Sequence, residues 1–219
     1  MTLKEHTVKS YDKDLQSIAG TLSEMVDMTL ISIEMVAEMI TNHHPEFVEK
    51  ITAHDYKINA LDLLIEKKVT SMLAMRQPMA VDLRYIVSSL KVASNLERVG
   101  DQAKSIIKKV HRIGFQAVEG HVRQSLLEMV SLSKQMVFDS VLAFNDQDAG
   151  KADEVLKKDD EIDNIYTRLF GILQPGNFTK EQLEKIINIM FIAKSFERLA
   201  DHSTNIAEIT KYVVTGETK

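Results

Sequence analysis

Glu97-Arg98-Val99-Gly100-Asp101 returns one hundred residues later as Glu197-Arg198-Leu199-Ala200-Asp201. Residues four apart on a helix share a face, so each copy would present two carboxylates side by side. Asp55-Tyr56-Lys57-Ile58-Asn59 likewise matches Asp159-Asp160-Glu161-Ile162-Asp163 and adds two more oxygen-bearing side chains per copy, again four apart. If these faces meet, one half offers Asp55, Asn59, Glu97 and Asp101, and the other offers Asp159, Asp163, Glu197 and Asp201. Oxygen-only donor sets suit hard or borderline cations such as magnesium, manganese or iron. Acids at this spacing also make ordinary solvated ion pairs, and spacing alone leaves both readings open. Arg98 and Arg198 follow their glutamates directly. A neighbour at i, i+1 points about 100° away, so pairing within the dipeptide is not expected and pairing across helices stays open.

The acids also have an expected place on their helices. With Leu83 as zero and about 100° per residue, Ile86, Leu90 and Ala93 fall in one sector, and Glu97 and Asp101 fall inside it. A carboxylate on a packing face must be paired, hydrogen-bonded or bound to a cation. The same stripe recurs as Leu183, Ile186, Met190 and Ala193, which marks a duplicated helix rather than a repeated pentapeptide.

The elements that carry these residues can be read from punctuation and period. Pro45, Pro78 and Pro175 divide the chain into long proline-free stretches, because proline is tolerated in a helix's first turn and disruptive inside it. Apolar positions Ile18, Leu22, Met25, Ile33 and Val36 predict a first helix over Leu15 to Ile40. A second is expected from Pro45 to about Met75, and a third from Pro78 to His111, stopped by Gly114. The plan then repeats: Val122 to Phe144, a polar turn over Asp146 to Gly150, Ala152 to Leu173, the connection Gln174-Pro175-Gly176-Asn177, and Thr179 to Val213. Alternating strand patterns are absent. The expected fold is all-α, two tandem duplicated three-helix bundles, with one repeat over 1–115 and the other over 116–219.

Composition narrows the chemistry further. The chain has 219 residues, 44% of them hydrophobic and 6% aromatic, enough for a sizeable aliphatic core. It has no cysteine, so thiolate metal sites, disulfides and thiol nucleophiles are excluded. The charged N-terminal stretch and the lack of a long apolar run predict a cytoplasmic protein without a transmembrane segment. The net charge is −5 with both signs dispersed, so no nucleic-acid footprint is expected. Lys108, Lys109, His111 and Arg112 look like a helix C-terminus complementing its dipole. His43 and His44 read as loop residues, and His202, one residue past Asp201, as a packing or capping residue. A Gly-rich phosphate cradle and a Gly-x-Ser-x-Gly elbow are both missing.

The order and spacing of Gln77-Pro78-Met79-Ala80-Val81-Asp82-Leu83-Arg84, Asp159-x-x-Ile162-Asp163, the doubled Glu-Arg-x-x-Asp and Glu197 through Glu208 resemble the PhoU family of phosphate-signalling regulators over nearly the whole chain. The resemblance implies two three-helix bundles and acidic motifs that bind metal clusters. Carried onto this sequence, it places Asp55, Glu97 and Asp101 at one cluster and Asp159, Asp163, Glu197 and Asp201 at the other, with iron, zinc or magnesium as the metal. Asn59, a neutral ligand where the second copy has Asp163, ranks the second site above the first. It further implies a non-enzymatic, cytoplasmic negative regulator, a homodimer, that couples a Pst-type ABC phosphate transporter to a PhoR-like sensor kinase. Two other readings are a ferritin-like carboxylate metalloenzyme, whose Glu-x-x-His pairs this chain lacks, and a metal-free helical adaptor.

Overall fold

The computed structural model describes residues 3–114, 120–173 and 176–217. These form six helices: α1 (Leu3–Asn42), α2 (Phe47–Arg76), α3 (Ala80–Ile113), α4 (Gly120–Asp146), α5 (Ala149–Leu173) and α6 (Lys180–Thr215). Helices α1 to α3 pack as one bundle and α4 to α6 as a second. The boundary expected between residues 115 and 116, and the expected turn residues Gln174 and Pro175, lie outside the described residues.

Local chemistry explains most helix ends. Gln77 ends α2 in a left-handed conformation ahead of Pro78, and Met79 is extended before α3 begins. Gly114 and Gly216 close α3 and α6 at positive φ, where a Cβ would be strained. Thr179 caps α6 in a full capping box with Gln182. α1 starts twelve residues before the expected Leu15, at Leu3. Its added turns are tied down by polar contacts, which an apolar period does not reveal: Tyr11 Oη donates to Asp82 Oδ2 at 2.8 Å, and Arg76 holds Asp14 at 2.9 Å.

The core is aliphatic, as the composition requires. Ile18, Leu22, Met25, Ile33, Ile58, Ile65, Leu96, Val99, Leu126, Met136, Ile162 and Ile206 are among its buried members, and each such side chain contributes roughly 1.5–3 kcal/mol by leaving water. Where helices approach closely the chain uses small hydroxyls. Buried Thr29, Ser89, Ser203 and Thr210 each donate to the carbonyl four residues back, so their polar atoms are satisfied by their own helix.

The bundles are joined along α3 and α6, the most extensive helix pair in the molecule. The two run antiparallel, since Arg84 Nε donates to the Val213 carbonyl at 2.9 Å, His202 Nδ1 lies 3.0 Å from Asn95 Oδ1, and Lys109 Nζ lies 2.8 Å from Ser195 Oγ. Duplicated helices crossing antiparallel imply a local two-fold axis, and equivalent pairs appear on both sides of it. Asn95 meets Asn205, while Ser195 and Ser105 meet through Lys109. Buried Tyr85 and Phe144 stack with centroids 4.8 Å apart, joining α3 to α4.

Candidate metal centre

The α2–α3 and α5–α6 pairs each bring their acids onto one face. On the first, Asp55 is buried and receives a 2.6 Å hydrogen bond from Lys104 Nζ, which also lies 3.9 Å from Asp101 Oδ1. One ammonium thus links α2 to α3 through two carboxylates. Glu97 stands in the same field: burial raises its pKa, with Asp101, Asp62 and Asp55 adding to the rise and Arg98 opposing it. Asn59 Oδ1 is shut off from water without a hydrogen-bond partner.

On the second face, Asp159 is pushed up to about 6 by burial first and then by Asp163, Asp201, Asp160 and Glu197. Asp163 also rises, from burial, the charge of Glu197 and a hydrogen bond with Glu197. Lys194 pairs with Glu197 from one turn earlier on α6. Glu197 Oε2 is closed to water and faces Lys194 Nζ alone. Four carboxylates are therefore held near one another with a single lysine among them.

All eight expected residues thus lie where the duplication predicts, four on each face, but not in the expected setting. The acids flank the apolar stripe instead of sitting inside it. Leu83 and Leu183, both counted in that stripe, are 40% and 48% exposed. The buried line on α3 runs through Ile86, Ala93, Leu96, Gly100 and Ile107, so Glu97 falls on its shoulder. Asp163 and Asp201 are exposed. Arg98 also departs from expectation: its Nε is 3.4 Å from Glu97 Oε2 and its Nη1 is 3.8 Å from Asp101 Oδ2. A long, half-exposed guanidinium bends back along the helix and spans the angle that separates adjacent Cβ atoms.

Three site residues escaped the motif comparison. Asp62, three positions past Asn59, belongs to the first face, and its pKa is raised by burial and by Glu66. The spacing 55, 59, 62 signals it, but Tyr166 occupies the matching place in the second repeat. Lys104 and Lys194 are the others, and they sit at opposite ends of their acid pairs. His202 has a packing role, as expected. Its Nδ1 lies against Asn95, and its pKa is lowered by burial, with Arg98 adding to the fall and Asp201 opposing it. His43 and His44 lie in the α1–α2 connection.

The donor set on both faces is oxygen, suited to a hard cation, and Asn59 Oδ1 is a buried acceptor without a donor. A multivalent cation therefore fits the chemistry. Among the described residues, no three carboxylate or imidazole groups stand ready around a single ion, so loading requires the carboxylates to turn inward and the lysines to withdraw.

A model of the PhoU domain matches the chain twice, over residues 22–110 and 126–210, one copy in each bundle. The chain belongs to the PhoU family. It is 34% identical over 97% of its length to the phosphate-specific transport system accessory protein PhoU homolog of Zymomonas mobilis, 90% of which is covered. It is 32% identical to the homolog of the same description from Clostridium acetobutylicum, with 96% of this chain and 97% of that one covered. The fold is that of two solved PhoU structures. The Pseudomonas aeruginosa crystal structure has a TM-score of 0.85 at 25% identity, with coverage of 94% of this chain and all of that one. The Streptococcus pneumoniae phosphate transport system regulatory protein has a TM-score of 0.84 at 27% identity, with 95% and 99% covered. In this PhoU-family chain no described helix is long and apolar enough to cross a membrane.

Proposed function

We propose that this chain is a PhoU-type accessory protein of a phosphate-specific ABC transporter, acting in the cytoplasm as a negative regulator. In this role it damps phosphate uptake and, through a PhoR-like sensor kinase, phosphate-starvation signalling when phosphate is plentiful. The observation that carries the reading is the double match of the PhoU domain across both bundles. The action is non-catalytic: long helices with polar outer faces supply surface for partner proteins, and a second copy of the chain is one such partner.

The acidic faces supply the regulated element. Asp55, Asn59, Glu97 and Asp101 would hold metal on one face, and Asp159, Asp163, Glu197 and Asp201 on the other, with iron, zinc or magnesium as the ion. Bound metal supplies positive charge where the carboxylates now repel. The crowding that raises Asp159, Asp163 and Glu97 supports this reading, because a cation relieves the repulsion that protons otherwise relieve. Lys104 and Lys194 then act as counter-ions of the metal-free state, and their release alters the surface available to a partner.

Deletion of the gene tests the regulatory reading. Phosphate-responsive genes should stay active at high phosphate in the deletion strain, and unchanged repression would contradict it. Elemental analysis of untagged protein tests the metal separately: protein that refuses iron, zinc and magnesium is a metal-free adaptor, and oxygen-dependent turnover of ferrous iron would instead favour a ferritin-like enzyme.

A further inference from the structure

Of the basic residues at the end of α3, Lys108, His111 and Arg112 are exposed, as a helix terminus predicts, but Lys109 is not. Lys109 turns under toward α6, where its Nζ donates to Ser105 Oγ at 2.9 Å and to Ser195 Oγ at 2.8 Å. Ser195 is buried, and its own hydroxyl donates a hydrogen bond to the Phe191 carbonyl at 3.0 Å. An ammonium has three N–H bonds, so one remains for a further acceptor. Arg112 follows Lys109 by three residues on α3, and Arg198 follows Ser195 by three on α6, which puts all three cations along one seam. Both arginines act on Lys109, and together with burial they lower its pKa, with no carboxylate opposing them. Among the described residues neither arginine has a carboxylate at ion-pair distance, although Arg98, the duplicate of Arg198, has two.

Comparison across the local two-fold sharpens the point. On the opposite side, Asn95 and Asn205 meet directly and Ile209 stands where Lys109 does here. Both partners of that contact are neutral amides. The side with Lys109 concentrates three positive charges, one of them partly buried, which costs stability unless an anion balances it.

We propose that Lys109, Arg112 and Arg198 form a binding site for a phosphate-class oxyanion, either free phosphate or the phosphoryl group of a small metabolite. Two guanidinium forks and the third N–H of an ammonium match the several acceptor oxygens of a tetrahedral dianion. A single carboxylate offers fewer oxygens and less charge. The site borders the second acidic face, since Arg198 directly follows Glu197, but its ligand is an anion and it does not depend on metal there.

The test uses the full chain freed of metal with chelator, in equilibrium dialysis against labelled orthophosphate at constant ionic strength. Saturable binding of one phosphate per chain is expected. Arg198→Gln, an exposed substitution, should weaken it by about tenfold or more, and Lys109→Met should abolish it while leaving the fold intact. Lys91→Gln, which removes one charge from α3 elsewhere, should leave it unchanged. Binding of adenosine monophosphate tighter than orthophosphate assigns the phosphoryl group to a metabolite, and the reverse assigns it to the free ion. No saturable binding at millimolar phosphate, equal weakening by Lys91→Gln and Arg198→Gln, or equally strong binding of acetate would overturn the proposal.

Discussion

Lys104 Nζ lies 2.6 Å from Asp55 Oδ2, and this contact is the polar bolt between α2 and α3. Asp55 is 6% exposed, so its charge is tolerable only with a partner. Lys104→Met should therefore cost about 2–3 kcal/mol in chemical denaturation, since it leaves a buried carboxylate alone. A divalent cation should restore part of that loss. If neither the loss nor the rescue appears, Asp55 does not need its lysine and the first face is not poised for a cation.

Asp159 gives a pH signature. Its folded pKa of about 6 lies above its ordinary value of 3.8, so the folded chain holds this proton more tightly than the unfolded chain does. The associated stability is complete below about pH 4 and is lost as pH rises through 6. Asp159→Asn should therefore stabilise the metal-free protein at pH 7, by about 1–2 kcal/mol after allowance for solvent screening, and change little at pH 4. Thermal melts at the two pH values decide it; a gain of the same size at both would show that repulsion is not the cause. Metal uptake should rise between pH 5 and 7, where the competing proton leaves.

The two faces should also differ in strength. Asp201→Ala removes a charged donor from the face with four carboxylates, whereas Asn59→Ala removes a neutral amide oxygen from the other. Metal per chain, measured by elemental analysis, should fall more for Asp201→Ala. Asn59→Asp should raise uptake at the first face. Equal losses in the two alanine variants would refute this ranking.

Gly100 tests how the two repeats diverged in packing. A Cβ on Gly100 would come 2.9 Å from Ile58 Cδ1, the far end of a side chain that can rotate. Gly100→Ala gains roughly 0.5–1 kcal/mol of helix propensity and spends a similar amount on crowding, so the net change in stability should be small. Ile58→Val removes the crowding methyl. The double variant should therefore exceed the sum of the two single changes, a coupling that a double-mutant cycle reads directly.

Much of this was legible in the sequence, for identifiable reasons. Proline and glycine positions, the apolar period and the doubled stripe mark six helices in two sets of three, because these signals are local. The eight candidate residues were legible because duplication repeats their positions. What escaped depends on side chains that reach. Arg98 folds back over Glu97, Lys104 crosses to Asp55, and Lys109 turns under α6, and no helical-wheel angle reports where four or five methylene-scale bonds will go. The stretch of α1 around Tyr11 and Asp14 escaped because these residues are held by hydroxyl and charge rather than by an apolar period. Asp62 escaped because only one repeat carries it.

The antiparallel crossing of α3 and α6 has an evolutionary consequence. Two separate identical halves meeting at such a crossing must change both sides of the contact whenever one codon changes. A single polypeptide that carries both halves is free of that constraint. It can hold a neutral amide pair at Asn95 and Asn205 while the equivalent place gains Lys109 between Ser105 and Ser195. Covalent fusion thus lets a symmetric scaffold acquire a polarity, so that its two sides present different chemistry to whatever approaches them.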